Sequence, residues 1–469
     1  MGSNEKKSQF DIEELTNPNH GMKRDMGLIR AVGLMAGLMI GSGIFYVGAF
    51  VLDYVHLSTG MAVLAWLLAG LLSLCAGLCY AEMGTAMPRS GGSYVYVTES
   101  FGPMVGFTMG WSDFWISQTG SIAALGLGVS QYLGSLFGGF NSLTTSIVAV
   151  AVVILLSFVN MKGVKEGSTL STVLLVLKIV VIAVVIISCF TYSGGHSLSI
   201  SMDFDGGIGG FVGALSMGII AALWAFDGWT SVCTVAEEIK EPQKNIPRAI
   251  TITLAGLTVV YLLFNLGQMK VLTPEQIASA DNPTFNAMET IFGTGVATIL
   301  TISIILSILG SANSAILAYP REYYAMARDK RWLPIFGKVD PKSHTPKNSQ
   351  IITMIYACII CFIADFQSLI DIAILATWVY YSLGVASCIV LRKKYPNIER
   401  PYKVWCYPIL PIIVVIFGII MLIANFLTDP HTILGLLIPI SGIPAYFVFN
   451  KYYSTHEFPD LDNGVELDD

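Results

Sequence analysis

Twelve stretches of this chain are apolar enough and long enough to cross a bilayer, at about residues 28–53, 58–86, 101–134, 144–160, 167–191, 211–239, 248–268, 294–324, 349–366, 369–391, 405–426 and 432–450. Hydrocarbon offers no water to complete a backbone hydrogen bond, so a spanning segment must bond to itself or lie against protein. The expected fold class is therefore all-α integral membrane, with twelve transmembrane helices. Composition agrees: 12% of residues are charged and 54% hydrophobic, whereas a soluble domain carries about 25% charge. Residues 1–26 have no apolar segment after a basic start, which predicts a cytoplasmic tail and not a cleavable signal peptide.

Of the 26 Lys and Arg, 24 fall on one side when the spans are threaded in order. Only Lys270 falls opposite, and Lys178 lies inside a span. Under the positive-inside rule both termini are cytoplasmic, including a tail at 454–469, and the protein is multi-pass in the cell membrane. The net charge of −6 belongs to the tails and gives no surface for nucleic acid. The eight cysteines lie in spans or on the cytoplasmic side, so no disulfide framework is expected, and Cys358 with Cys361 reads as packing in an apolar helix. All six histidines fall in tails, loops or span ends, which argues against a membrane enzyme. The short loops leave no place for a nucleotide-binding domain.

Two spans are interrupted. In the first, Gly41-Ser42-Gly43 divides Leu34-Met35-Ala36-Gly37-Leu38-Met39-Ile40 from Ile44-Phe45-Tyr46-Val47. In the sixth, Phe226-Asp227-Gly228-Trp229-Thr230-Ser231 follows the apolar run 211–225. Non-helical backbone at membrane depth survives only where protein or a polar cavity satisfies it. Half-helices that meet there aim N–H groups at an anion and C=O groups at a cation, and a zwitterionic amino acid carries both charges. The competing reading of Gly-x-Gly is a close helix contact. For Asp227 there are two compatible roles, an N-cap of the following half-helix and a group that meets a cation or proton.

Breaks at corresponding positions five spans apart point to inverted repeats around a midplane site. The expected organisation is a first repeat at 27–191, an external loop at 192–210, a second repeat at 211–394, and two further helices within 395–453. Lys178 sits near the middle of 167–191, where an ionisable group is a functional candidate by default. It needs acceptors, such as carbonyls freed at a break. Ser303, Ser307 and Ser311 recur every four residues and form one polar stripe that would serve; a helix-packing stripe is the alternative. Helix 3, with Trp111, Asp113, Ser117 and Gln118, must turn one face inward. Arg89 and Glu82 flank the Pro-Gly-Gly loop after helix 2, either as gate residues or as part of a solvated turn.

Taken together, Gly41-Ser42-Gly43-Ile44-Phe45, Tyr80-Ala81-Glu82 with Pro88-Arg89-Ser90-Gly91-Gly92, Phe226-Asp227-Gly228-Trp229, Pro247-Arg248-Ala249-Ile250 and Arg400-Pro401-Tyr402-Lys403-Val404 resemble the amino acid-polyamine-organocation superfamily. Within it the chain looks most like bacterial L-type amino acid transporters, from about Lys23 to Lys403. The resemblance implies the leucine-transporter fold, a 5+5 inverted repeat plus two C-terminal helices, and sodium-independent exchange of small neutral amino acids. A proton-coupled symporter of the same fold, for cationic amino acids, is the alternative.

By the same resemblance, the substrate site comprises Met39, Ile40, Gly41, Ser42 and Gly43 in the first break and Trp224, Ala225, Phe226, Asp227 and Gly228 in the second. Backbone N–H groups at Ser42 and Gly43 would bind the carboxylate, carbonyls near Met39, Trp224 and Asp227 the amino group, and Trp224 would close over the ligand. Lys178 would stand in for sodium, against the Gly37 carbonyl and Ser307 or Ser311. No cofactor and no metal are implied. Phe137 to Thr145 has no cysteine, so no disulfide-linked ancillary subunit is expected. Several relatives have a second glycine or an aliphatic residue where Asp227 stands.

Overall fold

A computed structural model describes residues 15–16, 22–41, 43–45, 47–198, 200–202, 204, 207–280, 282–363, 366–428 and 436–455. The expected tails, 1–26 and 454–469, lie largely outside the described residues, as does Ser42. Among the described residues the chain is helical, with one isolated bridge between Met26 and Ile239 and no named strand. Helix α1 (Leu28–Met39) and helix α2 (Val47–Tyr54) share the first apolar run, with a 3₁₀ turn Gly43–Phe45 between them. Then follow α3 (Thr59–Ala86), α4 (Ser93–Phe101), α5 (Pro103–Ser112), α6 (Gln118–Ser135), α7 (Ser142–Lys162), α8 (Val164–Thr191) and α9 (Gly207–Ala225). The second part holds α10 (Ser231–Thr234), α11 (Pro242–Val271), α12 (Pro274–Ala278), α13 (Pro283–Phe292), α14 (Ala297–Ala318), α15 (Pro320–Arg328), α16 (Lys347–Ile363), α17 (Phe366–Lys394), α18 (Ile409–Thr428) and α19 (Leu437–Thr455).

Among the described residues, helix occurs within each apolar run marked in the sequence, and six of the helical segments are individually long and apolar enough to cross a membrane. Three differences from the sequence reading have local causes. Helix α4 forms in what read as loop, after Gly91 and Gly92 supply two positive-φ residues that turn the chain. Helices α12 and α13 each begin on Pro behind a side-chain cap, from Thr273 and Asn282 respectively, and lie between the seventh and eighth runs. The third run is not uniformly α-helical: Asp113–Ser117 is a π turn between α5 and α6. Such turns often mark functional positions.

Helix α3 packs along α11, and α14 lies between α6 and α8, with α1 against α8, α11 and α14. Helix α1 is thus enclosed by other helices. Helix α8 illustrates how the surface divides. Leu174, Leu175, Lys178, Ile182, Val185 and Cys189 are buried on one stripe, while Val173, Val176, Leu177, Ile179, Val180 and Val184 are exposed. In water such a patch would be a liability. It is the surface of a membrane helix facing lipid.

Candidate functional site

The first interruption is stabilised from outside its own helix. Helix α1 ends at Met39, and its C-cap Ile40, with φ of −79° and ψ of 80°, has left the helical region. The carbonyls at the end of a helix have no partner within it. Lys178 Nζ from α8 donates to Gly37 O at 2.7 Å and Ile40 O at 2.5 Å, and lies 3.1 Å from Ser311 Oγ on α14. Ser311 Oγ is also 2.9 Å from Gly37 O and 3.1 Å from Ile40 O, and Ser307 Oγ is 3.1 Å from both Ile40 O and Gly41 O. An ammonium has three donors, and three acceptors surround it. Gly310 makes room for the lysine stem, since a Cβ there would lie 2.6 Å from Lys178 Cε. Ser303, the third member of the stripe, turns back to Ile299 O at 2.8 Å within its own helix.

In the second interruption α9 stops at Ala225, and Phe226 to Thr230 turn through Gly228 at φ +106°. Only glycine takes that conformation without strain. Leu38 packs where a Gly228 Cβ would go. The N-cap residue of α10 is Thr230. Asp227 therefore does not cap that helix: its Oδ1 accepts from the Tyr381 hydroxyl of α17 at 2.5 Å. The chain needs five residues to turn before helix resumes, which carries the cap position past the aspartate.

Tyr261 of α11 ties the two interruptions together. Its hydroxyl is 3.3 Å from Met39 O and 3.0 Å from Ala225 O. Between the breaks lies a cavity of about 120 Å³. Met39, Gly41, Gly43, Trp224, Ala225 and Asp227 line it, among the expected site residues, together with Ser311. Leu38, Ser121, Ala124, Leu125 and Tyr319 complete the wall. The Trp224 ring leans over the first break, where a Cβ on Gly43 would sit 3.3 Å from Trp224 Cζ3. Ile40, Gly37 and Ser307 stand behind the wall in the lysine cage. Phe226 faces away from the cavity, buried against Trp66 and Tyr261.

Gln118 Nε2 donates to Asp113 Oδ2 at 3.2 Å and to Glu322 Oε2 at 2.7 Å, which accounts for the polar face of the third run. Ion pairs with buried carboxylates join elements distant in sequence. Arg89 bonds Asp329, both side chains being 2% exposed. Glu82 accepts from Arg392 Nε at 2.6 Å and from Val404 N at 2.7 Å. The fully buried Glu238 accepts from Arg321 Nε at 2.6 Å. Arg89 and Glu82 are thus not part of a solvated turn, and each is tied to a different partner.

This architecture has a sequence counterpart. The profile of the "Amino acid permease" family matches residues 26–449. The chain belongs to the amino acid permease family. The permease is 31% identical over 440 residues to "Serine/threonine exchanger SteT" of Bacillus subtilis (strain 168), covering 92% of this chain and 98% of that protein. It is 29% identical to "b(0,+)-type amino acid transporter 1" of Mus musculus, over 92% of this chain and 89% of that protein. It is 30% identical to "Large neutral amino acids transporter small subunit 2" of Oryctolagus cuniculus, over 97% and 86% respectively. As a permease among amino acid transporters and exchangers, it is a helical membrane protein and not an enzyme.

Sequence reasoning missed Tyr261, Tyr319, Tyr381 and Gly310. A tyrosine in an apolar run carries the same signal whether it faces a cavity, a neighbouring helix or the headgroups.

Proposed function

We propose that this permease is a sodium-independent exchanger of small neutral L-amino acids that works by alternating access. One observation carries the reading: the Lys178 ammonium sits within 2.7 Å of Gly37 O and 2.5 Å of Ile40 O, against Ser311 Oγ. Carbonyl and hydroxyl oxygens at a helix break are ligands suited to a sodium ion. Here a covalently attached cation fills the cage. The breaks remain polarised without a bound ion, so the substrate zwitterion meets opposite partial charges in any salt. In this reading the N–H groups around Ser42 and Gly43 take the carboxylate and the carbonyls of Met39, Trp224 and Asp227 the amino group. The name of the serine/threonine exchanger supports small neutral substrates and exchange.

The same reading includes the leucine-transporter fold with twelve spans, repeats at 27–191 and 211–394 around an external loop at 192–210, two further helices within 395–453, and cytoplasmic termini at the cell membrane. The close packing of α3 on α11, the second and seventh runs, supports the repeat, since these are its counterparts. The transporter named a small subunit implies an assembly for that protein. Phe137 to Thr145 has no cysteine here, so no disulfide-linked subunit is proposed.

Counterflow in proteoliposomes tests the function. Uptake of labelled amino acid is expected only when the lumen holds unlabelled amino acid, at equal rates in sodium and choline media and with or without a pH gradient. The exposed Asp227 in the cavity favours a second reading, proton-coupled uptake of cationic amino acids. Accumulation driven by a proton gradient into empty vesicles would replace exchange with that reading.

A further inference from the structure

We propose that the Asp227 carboxylate, held in place by Tyr381, is a subsite for a hydrogen-bond donor on the substrate side chain. Hydroxyl-bearing small amino acids are then taken in preference to their aliphatic isosteres. Tyr381 is a positioning residue for this selection, which rests on the amino acid exchange proposed above.

Asp227 lies in the middle of an apolar run, yet it is exposed and lines the cavity between the breaks. An ionised carboxylate only accepts hydrogen bonds, and at membrane depth it is costly without donors. Tyr381 supplies one, to Oδ1 at 2.5 Å, and the Gly228 backbone lies against the group. Among the described residues no lysine or arginine comes within 4.0 Å of it. A carboxylate has about four lone-pair sites, so acceptor capacity remains for whatever enters the cavity. Of the hydroxyls in the cavity wall, Ser121 does not compete, because its Oγ donates to Ser117 O at 2.7 Å.

The position of the carboxylate is fixed from behind. The Tyr381 ring packs on Trp229 at 5.0 Å, and Trp229 stands edge-on to Tyr80 at 4.8 Å. Tyr80 in turn accepts from Ser93 Oγ at 3.0 Å. Both Trp229 and Tyr80 are buried. A side-chain hydroxyl entering the cavity finds an acceptor already oriented, whereas a methyl group in its place displaces water from the carboxylate and offers no donor. A site built to bond a hydroxyl rejects the analogue lacking it far more strongly than an apolar pocket rejects one methylene.

L-Threonine and L-valine have nearly the same shape and differ by hydroxyl for methyl, so their ratio of counterflow kcat/KM reads the proposal directly. For the unaltered protein threonine is expected to exceed valine by about tenfold or more, and L-serine to exceed L-alanine. Tyr381→Phe should lower the threonine-to-valine ratio at least about threefold, and Asp227→Ala, which removes the acceptor, should bring it close to one. A merely structural defect would slow both substrates alike and leave the ratio unchanged. Equal use of threonine and valine by the unaltered protein would overturn the proposal, as would L-lysine outcompeting threonine, since the carboxylate would then select charge. Exchange of amino acids without this discrimination leaves the exchanger reading intact; no exchange at all removes both.

Discussion

Lys178 owes its position to sequence neighbours that are chemically unlike it. Leu177 and Ile179 on either side are 43% and 48% exposed, while Lys178 is 2% exposed. One residue of rotation on α8 separates lipid from the cage at the end of α1. Hydrogen bonds from a charged donor each contribute about 1.5–3 kcal/mol, and Lys178→Ala removes the donors while Ser307 and Ser311 still reach the same carbonyls. Exchange is therefore expected to fall about tenfold or more while the detergent-solubilised protein keeps a cooperative melting transition. Wild-type rates in that variant would deny the lysine its role. The lysine was legible in the sequence because a charge in the middle of an apolar span has few explanations. Its partner Ile40 was legible only as part of a break, and Gly310 was one glycine among the 45 in the chain. Space for a side chain leaves no mark in sequence until the neighbouring helix is placed.

At the scale of elements, the interrupted helices depend on neighbours that replace their missing ladder bonds. Tyr261 of α11 reaches both Met39 O and Ala225 O, and Arg321 of α15 reaches Glu238, just beyond the second break. The breaks were readable because glycine and serine in an apolar run oppose helix in lipid. Their supports were not, since long-range pairs such as Arg321 with Glu238 follow from how α14 and α15 pack beside the second break. The assignment of Asp227 as a cap failed for a related reason: local propensity favours an Asp cap, and Tyr381 of α17 offers the carboxylate a competing donor. The ion pair permits a direct test. Both side chains are fully buried, and removing one partner of such a pair typically costs about 3–5 kcal/mol because the other charge is left unpaired. Arg321→Met should lower the thermal midpoint sharply, and adding Glu238→Gln should restore most of the loss. Equal destabilisation by the single and double changes would show that packing of the arginine stem, not its charge, is what matters.

Across the whole chain, the strongest remaining regularity is that 24 of the 26 Lys and Arg fall on one side when the twelve proposed spans are threaded in order. On the proposed topology that side also holds Arg89 with Asp329, Glu82 with Arg392, and Lys394 with Glu99, pairs that join segments far apart in sequence. In the alternating access proposed above, these contacts would be formed when the other side is open and released when this side opens, so the compartment they face would fix the direction of each step. Cys406 offers a marker on that side. It is the exposed cysteine among the eight, while Cys79, Cys189, Cys233, Cys361 and Cys388 are buried and Cys75 and Cys358 half-buried. It also follows Arg400 and Lys403 in the segment between α17 and α18. With that segment cytoplasmic, a membrane-impermeant maleimide should label the protein in inside-out vesicles and leave it unlabelled in intact right-side-out cells, and Cys406→Ser should abolish the labelling. Labelling from the outside would invert the bundle, placing the ion pairs at the external mouth and making the lysine-rich end the first gate a substrate meets on entry.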